Sequence, residues 1–261
     1  NKATAGDTAS LLFQTGYSGR AEFGLAGDDD WHVKVSPDGM AWTEALKVNR
    51  ADGRVLLPQA PDLTDDNQVA TKRYIRERLA ANRVYYVRTD GSDANNGLAN
   101  TSGGAFQTIQ KALNVVAGLD LAGFAVTIQI ADGTYAGAVS LPVTTGQGGA
   151  GGLVLAGNGA APGNVVITAA SASAVTASAG TRALVRDLEL RTTSAGYGLN
   201  SDGGAVQFQN VRFGACAQGH LACQKNGVAS AIGNYAIGGA APVHWLAWSG
   251  GIVDVEGRTV T

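Results

Sequence analysis

Between Leu121 and Thr261 the carboxylates are Asp132, Asp187, Glu189, Asp202, Asp254 and Glu256. Breaking a glycosidic bond takes two carboxyls about 5–9 Å apart, one of them able to protonate the leaving oxygen. Asp254 and Glu256 flank Val255 and could project as a pair from one side of a strand, but that is also ordinary surface spacing. A lyase would need a Lys, Tyr or His base beside an Arg or a metal, and no such cluster is concentrated here. The residues lean against catalysis in this stretch without deciding it. Binding a sugar asks less: aromatic faces and polar side chains in shallow grooves, for which Tyr197, His220, His244, Trp245 and Trp248 are the candidates. No metal or cofactor is expected. His32, His220 and His244 are too scattered in sequence to argue a site, and Asp28, Asp29 and Asp30 read as a solvated turn. Asp90, Asp93, Asn95 and Asn96 imitate a calcium loop without its Gly and Glu positions. Cys216 and Cys223 are either free thiols in or near a core or a bridge across a bend.

The candidates hang on a repeat. Asn164-Val-Val-Ile-Thr168, Asp187-Leu-Glu-Leu-Arg191, Asn210-Val-Arg-Phe-Gly214 and Asn234-Tyr-Ala-Ile-Gly238 share one pattern and recur at a nearly fixed interval. One strand-length match per period of about 23 residues is the mark of stacked coils, each too small to bury its own apolar face. The register predicts two inward columns, Val165, Leu188, Val211, Tyr235 and Ile167, Leu190, Phe213, Ile237. Val166, Glu189, Arg212 and Ala236 then point outward, with Glu189 and Arg212 as an exposed pair on neighbouring coils. Asn164, Asp187, Asn210 and Asn234 fall at the corner before each strand, where a short polar side chain bonds backbone and tolerates a bent conformation. Pro242 to Gly251 departs from the pattern and reads as a lateral excursion or a wider coil, because Trp245 and Trp248 are bulky.

Residues 1–59 alternate apolar and polar across five short stretches: Leu11–Phe13, Arg20–Leu25, Trp31–Val35, Ala45–Val48 and Arg54–Leu57. Turn sequences separate them, and together they predict a small antiparallel β unit. Residues 60–83 read as a linker helix, acidic at its start and basic toward its end. Its stripe of Val69, Tyr74, Ile75 and Leu79 is too thin to hold a lone helix, so trimerisation around an axis is one way to cover it. Residues 84–261 are the solenoid. Within them Phe106, Ile109, Leu113 and Val116 fall on one helical face, the kind of cap that an open first coil needs. The fold class expected is all-β, a parallel β-helix with coils of about 23 residues. The chain starts at Asn1 and its last residues, Gly257–Thr261, read like another repeat, so the solenoid is expected to continue beyond them.

Charge is balanced, with 19 basic and 21 acidic residues and no basic run, which argues against nucleic acid as a partner. No apolar run has the ~18 residues that a membrane span requires.

Three stretches carry a resemblance. Asp65-Asp-Asn-Gln-Val-Ala-Thr-Lys-Arg-Tyr-Ile75 resembles the linker helix of phage tail-fibre proteins. Thr8–Thr15, Gly27–Asp30, Val35–Gly39 and Trp42 resemble a block in fibre-like proteins of alphaproteobacterial phages, prophages and gene transfer agents. Tyr85–Gly97 followed by Ala105–Leu113 resembles the opening of right-handed β-helix proteins of the pectate-lyase-like class, which implies a right-handed parallel β-helix here. The resemblance implies a homotrimeric tail-fibre or head-spike subunit on the surface of a virion, assembled in the bacterial cytoplasm, attached to other virion proteins and binding bacterial surface polysaccharide. A polysaccharide depolymerase of the tailspike type and a purely structural adaptor are the alternatives.

Overall fold

A computed structural model describes residues 1–59 and 76–261. The chain divides into two compact units, Asn1–Ile75 and Arg76–Thr261.

In the first unit β1 (Thr8–Thr15), β2 (Ser18–Ala26), β3 (Trp31–Val35), β4 (Thr43–Val48) and β5 (Val55–Leu56) form an antiparallel meander in chain order. Gly16 and Tyr17 join β1 to β2 with φ of 57° and 62°, the left-handed geometry that two-residue hairpins favour. Residues opposite one another across a sheet share a face. Leu11 pairs with Phe23, Phe23 with Val33 and Val33 with Leu46, while Leu25, Trp31, Val48 and Val55 pair in the same way. One face of the sheet is therefore apolar from edge to edge, and Phe13, Phe23 and Trp31 form a ring row across it, with centroids 5.6 and 6.0 Å apart. No described residue of this unit covers that face: Leu11 and Val55 are each 59% exposed. The opposite face holds the polar groups, with the Ser10 hydroxyl donating to Glu22 and Lys47 bridging Asp28 and Asp30.

The second unit is a three-sided parallel solenoid. Gly133–Ala136, Val165–Ser171, Glu189–Ala195, Arg212–Phe213 and Ala236–Ile237 stack as the first sheet. Val139–Leu141, Val175–Ser178, Tyr197–Asp202, Gly219–Gln224 and Trp245–Ala247 stack as the second. The third runs from Arg83–Val87 through Val126–Ile130, Leu153–Ala156, Arg182–Arg186 and Ala205–Gln209 to Val228–Ala231 and Ile252–Asp254. Parallel strands joined by such crossovers wind right-handed. The chain is thus an all-β protein with a right-handed parallel β-helix, its stacked coils as the sequence repeat predicted and its hand as the resemblance implied. Each side contributes an interior column. Ile128, Leu155, Val185 and Phe208 line up from the third sheet, Ile167, Leu190 and Phe213 from the first, and Val175, Leu199 and Leu221 from the second. All of these are fully buried.

Most of the predicted columns hold, with two changes. Ile237 aligns with Phe213 yet is 41% exposed, because no described side chain stacks beyond it. Glu189 aligns with Arg212 but is buried, since two guanidiniums close over its carboxylate. The Trp245 segment is no excursion: Trp245 follows Leu199 and Leu221 along the same column, in register.

At the N-terminal end the solenoid is closed by α1 (Ile109–Ala117), which buries Ile109, Ala112, Leu113 and Val116. Phe106, expected on the helix, instead precedes it in a bridge with Val87. The Thr108 side chain caps α1 by accepting the Lys111 amide, and the Asp93 carboxylate accepts the Gln107 and Thr108 amides and the Thr108 hydroxyl. Asp90 pairs with Arg88, and Asn95 donates to Ser102 and Ala105. This loop spends its polar groups on its own turns.

Of the linker helix, Val69, Tyr74 and Ile75 lie outside the described residues. Leu79 does not lie on a helix: Glu77–Arg78 is a strand paired with Leu119–Asp120, and Leu79 is buried in the solenoid core. Burying an aliphatic side chain in that core wins here over helical propensity.

Leu190→Ala removes a fully buried side chain from the middle of a column whose neighbours are held by the ladder. It is expected to cost about 2–5 kcal/mol, read as a lowered urea midpoint with unchanged slope.

Candidate functional site

Two places bring chemistry-bearing side chains together. The first is the interior of the last coils. His220 and His244 belong to neighbouring coils, and their Nδ1 atoms stand 2.8 Å apart. The His244 ring stacks on Tyr235, 5.8 Å between centroids, and His220 lies 5.8 Å from Phe213. The Trp245 indole N–H donates to the Tyr235 hydroxyl at 3.1 Å. One imidazole donates and the other accepts, and burial keeps both neutral; their Nε2 atoms are buried without a partner. His220 is only 3% exposed, which corrects its assignment as a sugar contact: a group inside the coil does not meet a polysaccharide. His244 is half-buried with its ring nitrogens turned inward, and fails for the same reason. Tyr197, Trp245 and Trp248 do reach the surface. Tyr197 and Trp248 lie against each other, centroids 6.2 Å apart, and Trp245 is 45% exposed.

The second place is the outer surface of the first sheet. Glu189, buried, accepts from Arg191 Nε within its own strand and from Arg212 Nε at 3.1 Å on the next coil. The guanidiniums lie flat because glycine is beneath them. A Cβ on Gly214 would stand 2.6 Å from Arg191 Cγ, and one on Gly238 would strike the Arg212 guanidinium. Beside Arg212 runs a groove of about 380 Å³ between the loop at Pro162 and the corners at Asn210 and Asn234. Its corner residues hold one another. Asp187 and Asn210 take left-handed φ of 63° and 48°, Asn210 Nδ2 donates to Asp187 at 2.8 Å, and the Asn210 amide donates to Asn234 O at 2.7 Å. Asn164 donates to Asp132, and Asn234 accepts the Thr259 amide. Asp187 is also engaged by Arg186. Glu189 and Asp187 are thus both held by guanidiniums, and Asp132 accepts from the amides of Asn158 and Asn164.

Among the described residues no three metal-ligating side chains converge, and none of the helices is long and apolar enough to cross a membrane. Cys216 and Cys223 are free and buried; burial pushes the Cys223 thiol up to about 11. Asp254 and Glu256 are both exposed, at and just beyond the end of the last strand.

The fold and these surfaces define the class: a capped parallel β-helix in a chain that also carries an antiparallel sheet unit. No family model matches the chain, and no curated protein matches it. Among solved structures a pectin methylesterase from carrot is similar, at 17% identity and a TM-score of 0.35, over 63% of this chain and 63% of that one. A likeness so slight says nothing about chemistry.

The three imidazoles are expected to titrate in opposite directions. Burial lowers His220 and His244, the latter to about 4 with help from its neighbour. The unfolded chain then takes up protons below about pH 6.5 that the fold refuses, so the solenoid loses stability as pH falls from about 6.5 to about 4. For His32, burial opposes the charge, but Asp28 Oδ1 at 2.7 Å from Nε2 and Glu44 at Nδ1 outweigh it and raise the pKa. Its stabilisation is full below about pH 6.5 and disappears as pH rises through the folded value. NMR titration of the imidazole C–H signals checks this: one resonance titrating above about 6.5 and two below it is the expected pattern.

Proposed function

We propose that this chain is a structural and receptor-binding subunit of a phage-like or gene-transfer-agent particle, a homotrimer that holds bacterial surface polysaccharide against its solenoid. The observation that carries the reading is the inverted burial of the N-terminal sheet. Its apolar side chains are left uncovered by the described residues of its own unit, while the one buried ionisable group among those residues is His32. A single apolar face on a five-stranded sheet must be covered to be stable. At about 4.8 Å between strands and about 3.4 Å per residue, the face measures on the order of 24 by 20 Å, about 480 Å² per copy. The face carries no charge, so the same face of other copies, turned toward a common axis, is the best-matched cover. That the number is three rests on the resemblance of Asp65–Ile75 and of the N-terminal block to fibre proteins. The solenoid fits the other half of the role: a rigid rod whose sides present grooves and Trp ledges.

Sedimentation equilibrium is expected to give three times the 26.5 kDa chain mass. Phe13→Asp with Leu11→Asp, which places charges on the open face, is expected to shift the distribution toward monomer while leaving the β-helix circular dichroism unchanged. A wild-type monomer at micromolar concentration would mean that the chain covers this face itself. Retention of the wild-type protein on immobilised capsular polysaccharide tests the receptor-binding half.

A further inference from the structure

The paired guanidiniums on the first sheet are more than a structural ladder requires. A buried carboxylate needs one good partner; Glu189 has two, one from its own coil and one from the next. Each arginine spends its Nε on Glu189. Of the remaining N–H groups only Arg212 Nη2 has an acceptor among the described residues, a long 3.5 Å contact to Gly238 O. The side chains of Arg191 and Arg212 are 48% and 46% exposed, against 3% for Glu189. Two forks are thus fixed in orientation by a carboxylate beneath them and by glycines that let them lie flat, with their donor edges in solvent. With Arg186 and Asp187 paired beside them, the cluster keeps one net positive charge. A fixed guanidinium fork matches a carboxylate in two-point geometry, and preorganisation spares the entropy of ordering a long side chain.

We infer that Arg191 and Arg212 form a subsite for the carboxylate of an acidic polysaccharide, with the sugar carrying it lying in the adjoining groove beside Asn210 and Asn234. This rests on the polysaccharide-binding reading above and narrows its ligand to chains bearing uronic or sialic acid units. Asn210 Nδ2 spends both hydrogens on Gly159 O and Asp187 and Asn234 Oδ1 accepts the Thr259 amide, which leaves the Asn210 side-chain oxygen as an acceptor and the Asn234 Nδ2 as a donor for sugar hydroxyls.

The test is binding of the full chain to polysialic acid, hyaluronate, neutral dextran and dextran sulfate, by titration calorimetry at fixed ionic strength. Expected is binding to at least one carboxylate polymer, with dextran bound at least tenfold more weakly. Arg191→Lys with Arg212→Lys keeps the charge and removes the forks; it is expected to weaken that binding about tenfold or more, with an unchanged unfolding temperature showing that the fold is intact. If the lysine variant fails to fold, Arg212→Gln alone serves as the second variant, with the same loss expected. Equal binding of dextran sulfate and the carboxylate polymers, or unchanged affinity in a folded variant, overturns the inference in favour of plain charge attraction. Binding of neutral capsule but of neither acidic polymer overturns it while leaving the wider reading in place. Absence of binding to any polysaccharide, capsule included, overturns both.

Discussion

No coil of this solenoid has a core of its own. Ile167 is covered by Leu190, Leu190 by Phe213, and each is useful only because the next strand arrives in register. Slipping a strand by one residue would turn these side chains to water and bring Glu189 and Arg212 inside, at a cost on the order of several kcal/mol per misplaced group. Register is therefore the constraint from which the rest follows. It aligns the aromatic interior, stacks the corner Asn and Asp residues, and sets Arg212 over Glu189. The end of such a stack has unsatisfied edges, and α1 answers that at the N-terminal side by burying one apolar face and being capped by Thr108 and Asp93.

The N-terminal sheet solves the opposite problem. Its ladder is complete from β1 to β5, yet burial is inverted: the ion-paired His32 is inside and the Phe13, Phe23 and Trp31 row is uncovered. Placing both nitrogens of His32 against carboxylates favours the charged imidazole, so the polar face is held in part by electrostatics. The other face waits for apolar cover. The His220 and His244 pair makes the contrasting choice, neutral rings inside an aromatic cage. One chain thus holds a histidine stabilised by gaining a proton and two stabilised by refusing one.

Much of this was legible. The five short strands of the first unit, the repeat of the solenoid and the alternation around Leu188, Leu190, Val211 and Phe213 specified sheet type, stacking and register. Polar partnerships were harder. His220 and His244 sit one coil apart, and the period that aligns Asn210 with Asn234 also aligns them; the pairing is hard to see in the sequence because the repeated motif lies on a different side of the coil. Glu189 was legible as the neighbour of Arg212 but not as buried, since its closure depends on Arg191 folding back along its own strand over Gly214. Leu79 was assigned from charge polarity and a thin stripe, and tertiary burial overrode both. That the Trp245 segment is an ordinary strand was hidden by side-chain size, since two tryptophans look too large for a coil whose other members are small.

One coil behaves differently from the others. Tyr135 pairs with Ile167, and Ile167 with Leu190, but the stretch of chain between the first two is longer than that between the second two. The surplus is held in two loops, one around Gln147, whose amide donates to Arg182 O at 2.9 Å, and one between Ala156 and Val165. The ladder on either side is undisturbed. Length can thus be added or removed at a coil corner while the register stays fixed, so variation there is nearly neutral for folding. A lineage of such proteins can alter what its rod displays without relearning how to fold.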